Sequence, residues 1–177
     1  MARLLRRRAG NRPIPATPIE VHASDDQNEV PGIDVARYVR LASDALLAQQ
    51  VHGPGEANLL LVDRDAIAQL KRLHMGGTGA TDVLSFPLDG AEPLAPGDEQ
   101  RMVGDIVICP GVARDQAATH AGDLDGELAL LVVHGVLHLC GHDHAEPDER
   151  DVMWAREREL LDSLWGPLPR DPWAAEQ

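Results

Sequence analysis

Residues 127–144 read ELALLVVHGVLHLCGHDH, an apolar run that ends in a cluster of histidines. The first fourteen of these residues are apolar on almost every side, which predicts a helix buried against several neighbours. Gly141 is the expected end of that helix, because glycine adopts a left-handed conformation at little cost. The fold is therefore expected to be built around this helix.

The spacing of three histidines in this run indicates a metal site. His134 and His138 are four residues apart and so lie about 40° apart on one helix face. His144 follows Gly141 by three residues, on a chain that has turned and can fold back toward that face. The pattern matches the H-x-x-x-H-x-x-G-x-x-H frame in which three imidazoles converge on zinc. The sequence predicts one Zn²⁺ on His134, His138 and His144, with a fourth position left for water, as in catalytic sites.

The residue after the first histidine limits the chemistry. Zinc proteases of the H-E-x-x-H type place a glutamate there, which takes a proton from the attacking water. Gly135 occupies this position and has no side chain. Peptide hydrolysis by that mechanism therefore lacks its general base, and no second carboxylate or histidine is identifiable from the sequence as a dedicated base.

Three neighbours of the histidines need separate assignments. We expect the tight turn to direct His142 away from the metal, toward the surface or a supporting position. Asp143 either accepts a hydrogen bond from a ligating imidazole, caps the next helix or faces water. Cys140 points to the opposite side of the helix from His138, which predicts a packed core thiol.

The rest of the chain predicts strands that alternate with helices. Strands are expected at 17–22, 57–63, 81–88 and 103–110. Helices are expected at 33–50 and at about 111–121, 125–140 and 147–164. A further helix is expected to begin after an N-cap at Asp63 or Asp65. One helix crosses between the first two strands and another between the second and third. This order predicts an α+β fold, with a small sheet covered by helices.

Length and composition indicate a single domain without a membrane span. The 177 residues fit one domain, expected at 17–165, between a basic tail at 1–16 and a C-terminal tail at 166–177. No apolar run approaches the roughly 20 residues that cross a bilayer. The two cysteines, Cys109 and Cys140, form no disulfide framework, which favours a reducing, cytoplasmic location.

Charge is divided unevenly along the chain. Residues 1–16 contain five arginines and no acid, which leaves −18 on the remainder of a chain whose net charge is −13. An acidic body argues against broad, non-specific binding of phosphates. The arginine tail is expected to be a disordered, solvated extension; contact with phosphate or the ribosome is the alternative.

Three blocks together resemble the YbeY family of bacterial rRNA maturation factors: TDVLSFPLD at 81–89, VGDIVICP at 103–110 and HGVLHLCGHDH at 134–144. The resemblance extends from about Ile19 to Leu164. It implies a zincin-like α+β fold with a small mixed sheet, and zinc on His134, His138 and His144. It also implies a single-strand-specific endoribonuclease of 16S rRNA 3′-end maturation and ribosome quality control. The implied partners are rRNA and small-subunit components, with no membrane partner, and the chain is expected to be a monomer.

One position departs from the family pattern. Many members carry an arginine, assigned to RNA phosphate, six residues before Thr81, where this chain has Met75. Lys71 or Arg72, one turn earlier, can substitute; a solvated helix face is the alternative. The departure and the acidic body leave a second function open, a ribosome-assembly factor with a structural metal and little nuclease activity. Whether water or the ribose 2′-OH is the nucleophile also stays open.

Overall fold

The computed structural model describes residues 17–92 and 100–174, so the predicted arginine tail lies outside the described residues. Over these ranges the chain forms four strands and five helices, as predicted. In chain order they are β1 (Glu20–Asp25), α1 (Val35–Ala48), β2 (Gly55–Leu61), α2 (Arg64–Met75), β3 (Val83–Pro87), β4 (Arg101–Ile108), α3 (Pro110–Ala117), α4 (Leu124–Leu139) and α5 (Pro147–Leu164).

The four strands form one mixed sheet in the order β1-β2-β4-β3. β1 pairs with β2 and β2 with β4 in parallel, whereas β3 and β4 are antiparallel. Parallel neighbours need a crossover connection. α1 provides it between β1 and β2, and α2 followed by β3 provides it between β2 and β4. The predicted α+β class with a small mixed four-stranded sheet is therefore confirmed.

The ends of two elements show what the sequence pattern located and what it missed. Asp63 is the N-cap of α2, because its carboxylate accepts a hydrogen bond from the backbone N–H of Ala66 at 2.8 Å. Asp65, the alternative cap, lies in the first turn. The first strand lies at Glu20–Asp25 and not at the predicted 17–22. Its polar end stays extended because it pairs with the parallel strand β2 along its whole length.

The core surrounds α4. Twelve of the sixteen residues of this helix are buried, and it contacts β3 and β4 of the sheet as well as α1, α3 and α5. The predicted helix buried on most sides is thereby confirmed. Among the described residues, no helix combines the length and the hydropathy needed to span a membrane.

Candidate metal centre

The C-terminal end of α4 positions the three histidines. His134 and His138 lie on its last turns, one turn apart. Gly141 then adopts a φ of 88°, and the backbone N–H groups that follow the helix donate back to carbonyls of its last turn. These bonds form the Schellman motif that ends many helices. The turn brings His144 back toward the other two histidines, as the spacing predicts.

The three imidazoles share one centre. Their ring centroids lie 4.5 Å apart for His134 and His138, 5.3 Å for His134 and His144, and 5.0 Å for His138 and His144. One ring nitrogen from each residue lies within 4.8 Å of those of the other two. Within residues 17–92 and 100–174, this is the only group of three or more His, Cys, Asp or Glu residues with such geometry.

Hydrogen bonds at the Nδ1 atoms determine which nitrogens face the centre. Nδ1 of His134 lies 2.6 Å from Oε1 of Glu157, and Nδ1 of His138 lies 2.9 Å from the backbone carbonyl of His142. Because carboxylate and carbonyl oxygens accept, both Nδ1 atoms carry the proton. In neutral imidazoles, the form that binds a metal, the Nε2 atoms are then left with lone pairs, 3.0 Å apart. Two lone pairs at this distance repel unless a cation lies between them, so the donor set fits a metal such as Zn²⁺.

The electrostatics of His138 agree with this arrangement. Burial, together with the neighbouring rings of His134 and His144, lowers the pKa of His138 to about 4. Its imidazole is therefore neutral at pH 7. The neutral ring is the form that binds a metal ion.

Glu157 is a residue of the site that the sequence pattern did not single out. It lies on α5 with 2% of its surface exposed, and its Oε2 accepts the indole Nε1–H of Trp173 at 2.9 Å. A carboxylate behind a ligating imidazole fixes the ring and makes it a stronger ligand. A sequence signal existed, because Met153, Glu157 and Leu161 recur every four residues and all three are buried. Glu157 thus occupies a core position of an amphipathic helix.

Trp173 reaches Glu157 from beyond the predicted domain boundary at 165. Leu168 and Trp173 pack against the hydrophobic core, and the backbone N–H of Arg170 donates to the carbonyl of Ala121 at 3.0 Å. Residues 166–174 therefore contribute to the surroundings of the histidines.

Gly135 has a packing role that explains the missing glutamate. A Cβ atom placed on Gly135 would lie 2.7 Å from Cγ2 of Ile106 on β4, well inside carbon–carbon contact distance. A side chain at this position would therefore require the Ile106 side chain or the helix itself to move. The side chain of Ile106 thus occupies the space where the side chain after the first histidine would begin.

The three neighbours of the histidines take different places. His142 contributes its backbone carbonyl, and burial lowers the pKa of its ring. Asp143 is exposed and closes its own turn, because its carboxylate accepts the backbone N–H of His144 at 2.7 Å. Glu157, and not Asp143, holds an imidazole. Cys140 packs against the core as predicted, and burial raises the pKa of its thiol to about 11.

A cleft of about 420 Å³ opens in front of the three histidines. Its walls include Lys71 and Met75 from α2 and Thr81 before β3. Lys71, one of the two cations considered as substitutes for the family arginine, therefore lies at the cleft. Arg72, the other, is not among the lining residues.

A second histidine–carboxylate pair lies near the metal centre, and no sequence pattern pointed to it. Nδ1 of His120 lies 2.9 Å from both carboxylate oxygens of Glu127, which is fully buried on α4. Glu127 also accepts the side-chain N–H of Gln116 at 2.9 Å and the backbone N–H of Ala121 at 3.1 Å. These donors compensate the buried carboxylate.

Comparison with known proteins adds sequence relationships to this geometry. The family model for endoribonuclease YbeY matches residues 20–165. The Mycolicibacterium smegmatis endoribonuclease YbeY is 44% identical over 156 residues, which cover 86% of this chain and 79% of that protein. The Thermobifida fusca endoribonuclease YbeY is 47% identical over 130 residues, 72% of this chain and 84% of that protein.

A solved structure supports the fold. The solution structure of the Thermotoga maritima protein TM1509 superposes with a TM-score of 0.53 and 24% sequence identity, and covers 82% of this chain and 89% of that one. At this identity the likeness concerns the architecture, and it agrees with the predicted zincin-like α+β class. The family model and the curated relatives together show that the chain belongs to the endoribonuclease YbeY family.

Proposed function

We propose that the chain is a zinc-dependent endoribonuclease that hydrolyses phosphodiester bonds of single-stranded RNA. His134, His138 and His144 hold one ion through nitrogen atoms that face a common centre. We further propose that it acts in the cytoplasm on the 3′ end of 16S rRNA and in ribosome quality control, together with small-subunit components. Membership of the family supports the RNA-hydrolase activity, and the resemblance described above supports the rRNA substrate.

The observation that carries this proposal is the 3.0 Å approach of the Nε2 atoms of His134 and His138, with both Nδ1 protons held elsewhere. When bound, Zn²⁺ supplies a Lewis acid for a phosphate oxygen and lowers the pKa of a water molecule. Glu157 keeps the ring of His134 in the ligating orientation, and the carbonyl of His142 does the same for His138.

The cleft supplies the contact to RNA in this proposal. Lys71 lies in its wall, where an ammonium group can bind a phosphate as a point charge. The acidic charge of residues 17–177 opposes non-specific phosphate binding and so favours RNA binding at this cleft. Met75, 56% exposed in the same cleft, provides an apolar surface where many family members have the arginine.

The test of the function compares metal content and RNA cleavage for the wild type and His134→Ala. We expect about one metal ion per chain in the wild type by elemental analysis, and cleavage of single-stranded but not duplex RNA. The variant should lose both. His22→Ala is the matched control, because His22 forms an exposed pair with Glu56 on the sheet, 3.6 Å apart.

The same experiment decides against the alternative of an assembly factor with a structural metal. A folded His134→Ala protein that supports rRNA maturation normally would exclude the enzymatic function. The end groups of the cleaved RNA identify the nucleophile, since a 2′,3′-cyclic phosphate indicates the ribose 2′-OH and rules out direct attack by water.

A further inference from the structure

We propose that His120 is the general acid of the reaction and donates the proton on its Nε2 atom to the 5′-oxygen that leaves the scissile phosphate. The inference rests on the proposed endoribonuclease activity. It adds a catalytic side chain to a centre whose usual base position is occupied by Gly135.

The contacts of His120 define what its ring can do. Both oxygens of Glu127 accept from Nδ1, so the proton on that nitrogen is fixed. The opposite edge of the ring, which bears Nε2, faces away from Glu127. The side chain is 41% exposed, although its partner is fully buried. Nε2 is thus the atom that can exchange a proton with a bound molecule.

The position of His120 puts the residue in a cavity that also reaches the metal centre. His120 lines a cavity of about 250 Å³, and the walls of this cavity include Asp82, Val83 and His134. The same three residues line the cleft in front of the histidines. The two cavities therefore adjoin at His134, with Lys71 on one flank of the centre and His120 on the other. An RNA strand that crosses the centre passes both residues.

The charges around His120 favour its protonated form. The hydrogen bond to Glu127 raises the pKa of His120 above its ordinary value, and the charges of Glu127, Asp82 and Glu157 act in the same direction. These acids come from α4, from the segment before β3 and from α5. On the C-terminal segment the basic residue is Arg170, whose backbone is bonded to Ala121 next to the histidine. These contacts favour the imidazolium, which is the form that can act as a general acid.

The step balances for either nucleophile. The nucleophile oxygen, from water or from the 2′-OH, forms a bond to phosphorus and releases its proton to solvent. The bond between phosphorus and the 5′-oxygen breaks, and its electron pair stays on that oxygen. The proton on Nε2 of His120 moves to this oxygen, and the neutral imidazole regains a proton from water. No oxidant, reductant or co-reactant is needed.

The experiment compares two leaving groups. Single-stranded RNA is prepared with an ordinary phosphodiester or with a 5′-bridging sulfur at the linkage that the wild type cleaves. A thiolate leaves without a proton, so loss of a general acid slows only the oxygen linkage. His120→Gln keeps an N–H that can reach Glu127 but cannot titrate. We expect it to slow cleavage of the oxygen linkage about 10²–10⁴-fold, and to cleave the sulfur linkage at nearly the wild-type rate.

The pH profile gives a second readout that a structural role would not change. For the wild type, the rate on the oxygen linkage should fall as pH rises through the pKa of His120. This fall should be absent for His120→Gln and for the sulfur linkage. His22→Gln is the matched control, and metal content and thermal unfolding of both variants show that the site and the fold persist.

Two outcomes overturn the assignment of His120 while the proposed function survives. In the first, His120→Gln slows cleavage of both linkages equally. In the second, it slows cleavage of neither. In both cases the wild-type protein cleaves ordinary RNA. Absence of cleavage by metal-loaded wild type, in contrast, rejects the endoribonuclease proposal itself.

Discussion

Two buried glutamates each hold the Nδ1 atom of a histidine, Glu157 with His134 and Glu127 with His120. The pairs are alike in chemistry and differ in what faces the other ring nitrogen. Nε2 of His134 lies 3.0 Å from Nε2 of His138, whereas the ring of His120 borders an open cavity. The same pair therefore prepares one imidazole to bind a cation and the other to hold a proton, and the neighbour of Nε2 decides which.

The surroundings also shift the pKa values of histidines at the two places in opposite directions. At the metal centre, burial and two adjacent imidazoles lower the pKa of His138 to about 4. At the second pair, the hydrogen bond and three acidic side chains raise the pKa of His120. The surroundings thus favour the neutral ring at His138 and the protonated ring at His120, on two sides of one cleft.

Glu157→Gln should have the largest effect that separates the two pairs. It replaces the carboxylate behind His134 by a neutral amide, and we expect metal affinity to fall about 10–100-fold. Competition with a chromogenic chelator measures the affinity. Glu127→Gln is the matched variant and should bind metal as tightly as the wild type; equal weakening in both variants would contradict the division of roles.

Glu127→Gln should have an intermediate effect, confined to the pH dependence. Glu127 raises the pKa of His120, so removing its charge lowers that pKa and leaves less imidazolium above it. The fall in cleavage rate on the basic side should therefore begin at lower pH, with little loss of rate at acidic pH. A pH–rate profile at saturating metal measures this shift. An unchanged basic limb would show that Glu127 does not control the proton.

Trp173→Phe should have the smallest effect. The substitution removes the N–H that donates to Glu157 but keeps an aromatic ring for packing and leaves the bond to His134. Metal affinity should fall by a few-fold, less than for Glu157→Gln. Trp154→Phe, in the same cavity but with its ring beside Arg150, serves as control. A larger loss in the control would show that cavity packing, and not the hydrogen bond, supports the site.

Local patterns predicted the parts of the molecule that depend on spacing. The three histidines and the stop at Gly141 each follow from a few adjacent residues and are found where the sequence places them. The cap of α2 was predicted at Asp63 or Asp65, and the structure has it at Asp63. The α+β class followed from the order of elements, whereas the mixed sheet was implied by the family resemblance. The first strand lies three residues later than predicted, because its polar end is held extended by a partner strand distant in sequence.

The carboxylates behind the rings required the tertiary structure. Glu127 lies in the first turn of α4, where an acid is favoured by the helix dipole and gives no sign of a partner. Glu157 lies 23 residues from His134, on a helix whose other face is charged. Their contacts depend on how α3, α4 and α5 pack, which a single sequence does not specify. The choice of Lys71 over Arg72 depends similarly on the rotation of α2 against the sheet.

The contact between Gly135 and Ile106 has a consequence for protein engineering. Conversion of this scaffold into a peptidase would require a glutamate after the first histidine, at position 135. The Cβ atom of that glutamate would clash with the side chain of Ile106 on β4. The redesign has to begin in the strand, with a smaller residue at position 106, so the two positions must change together.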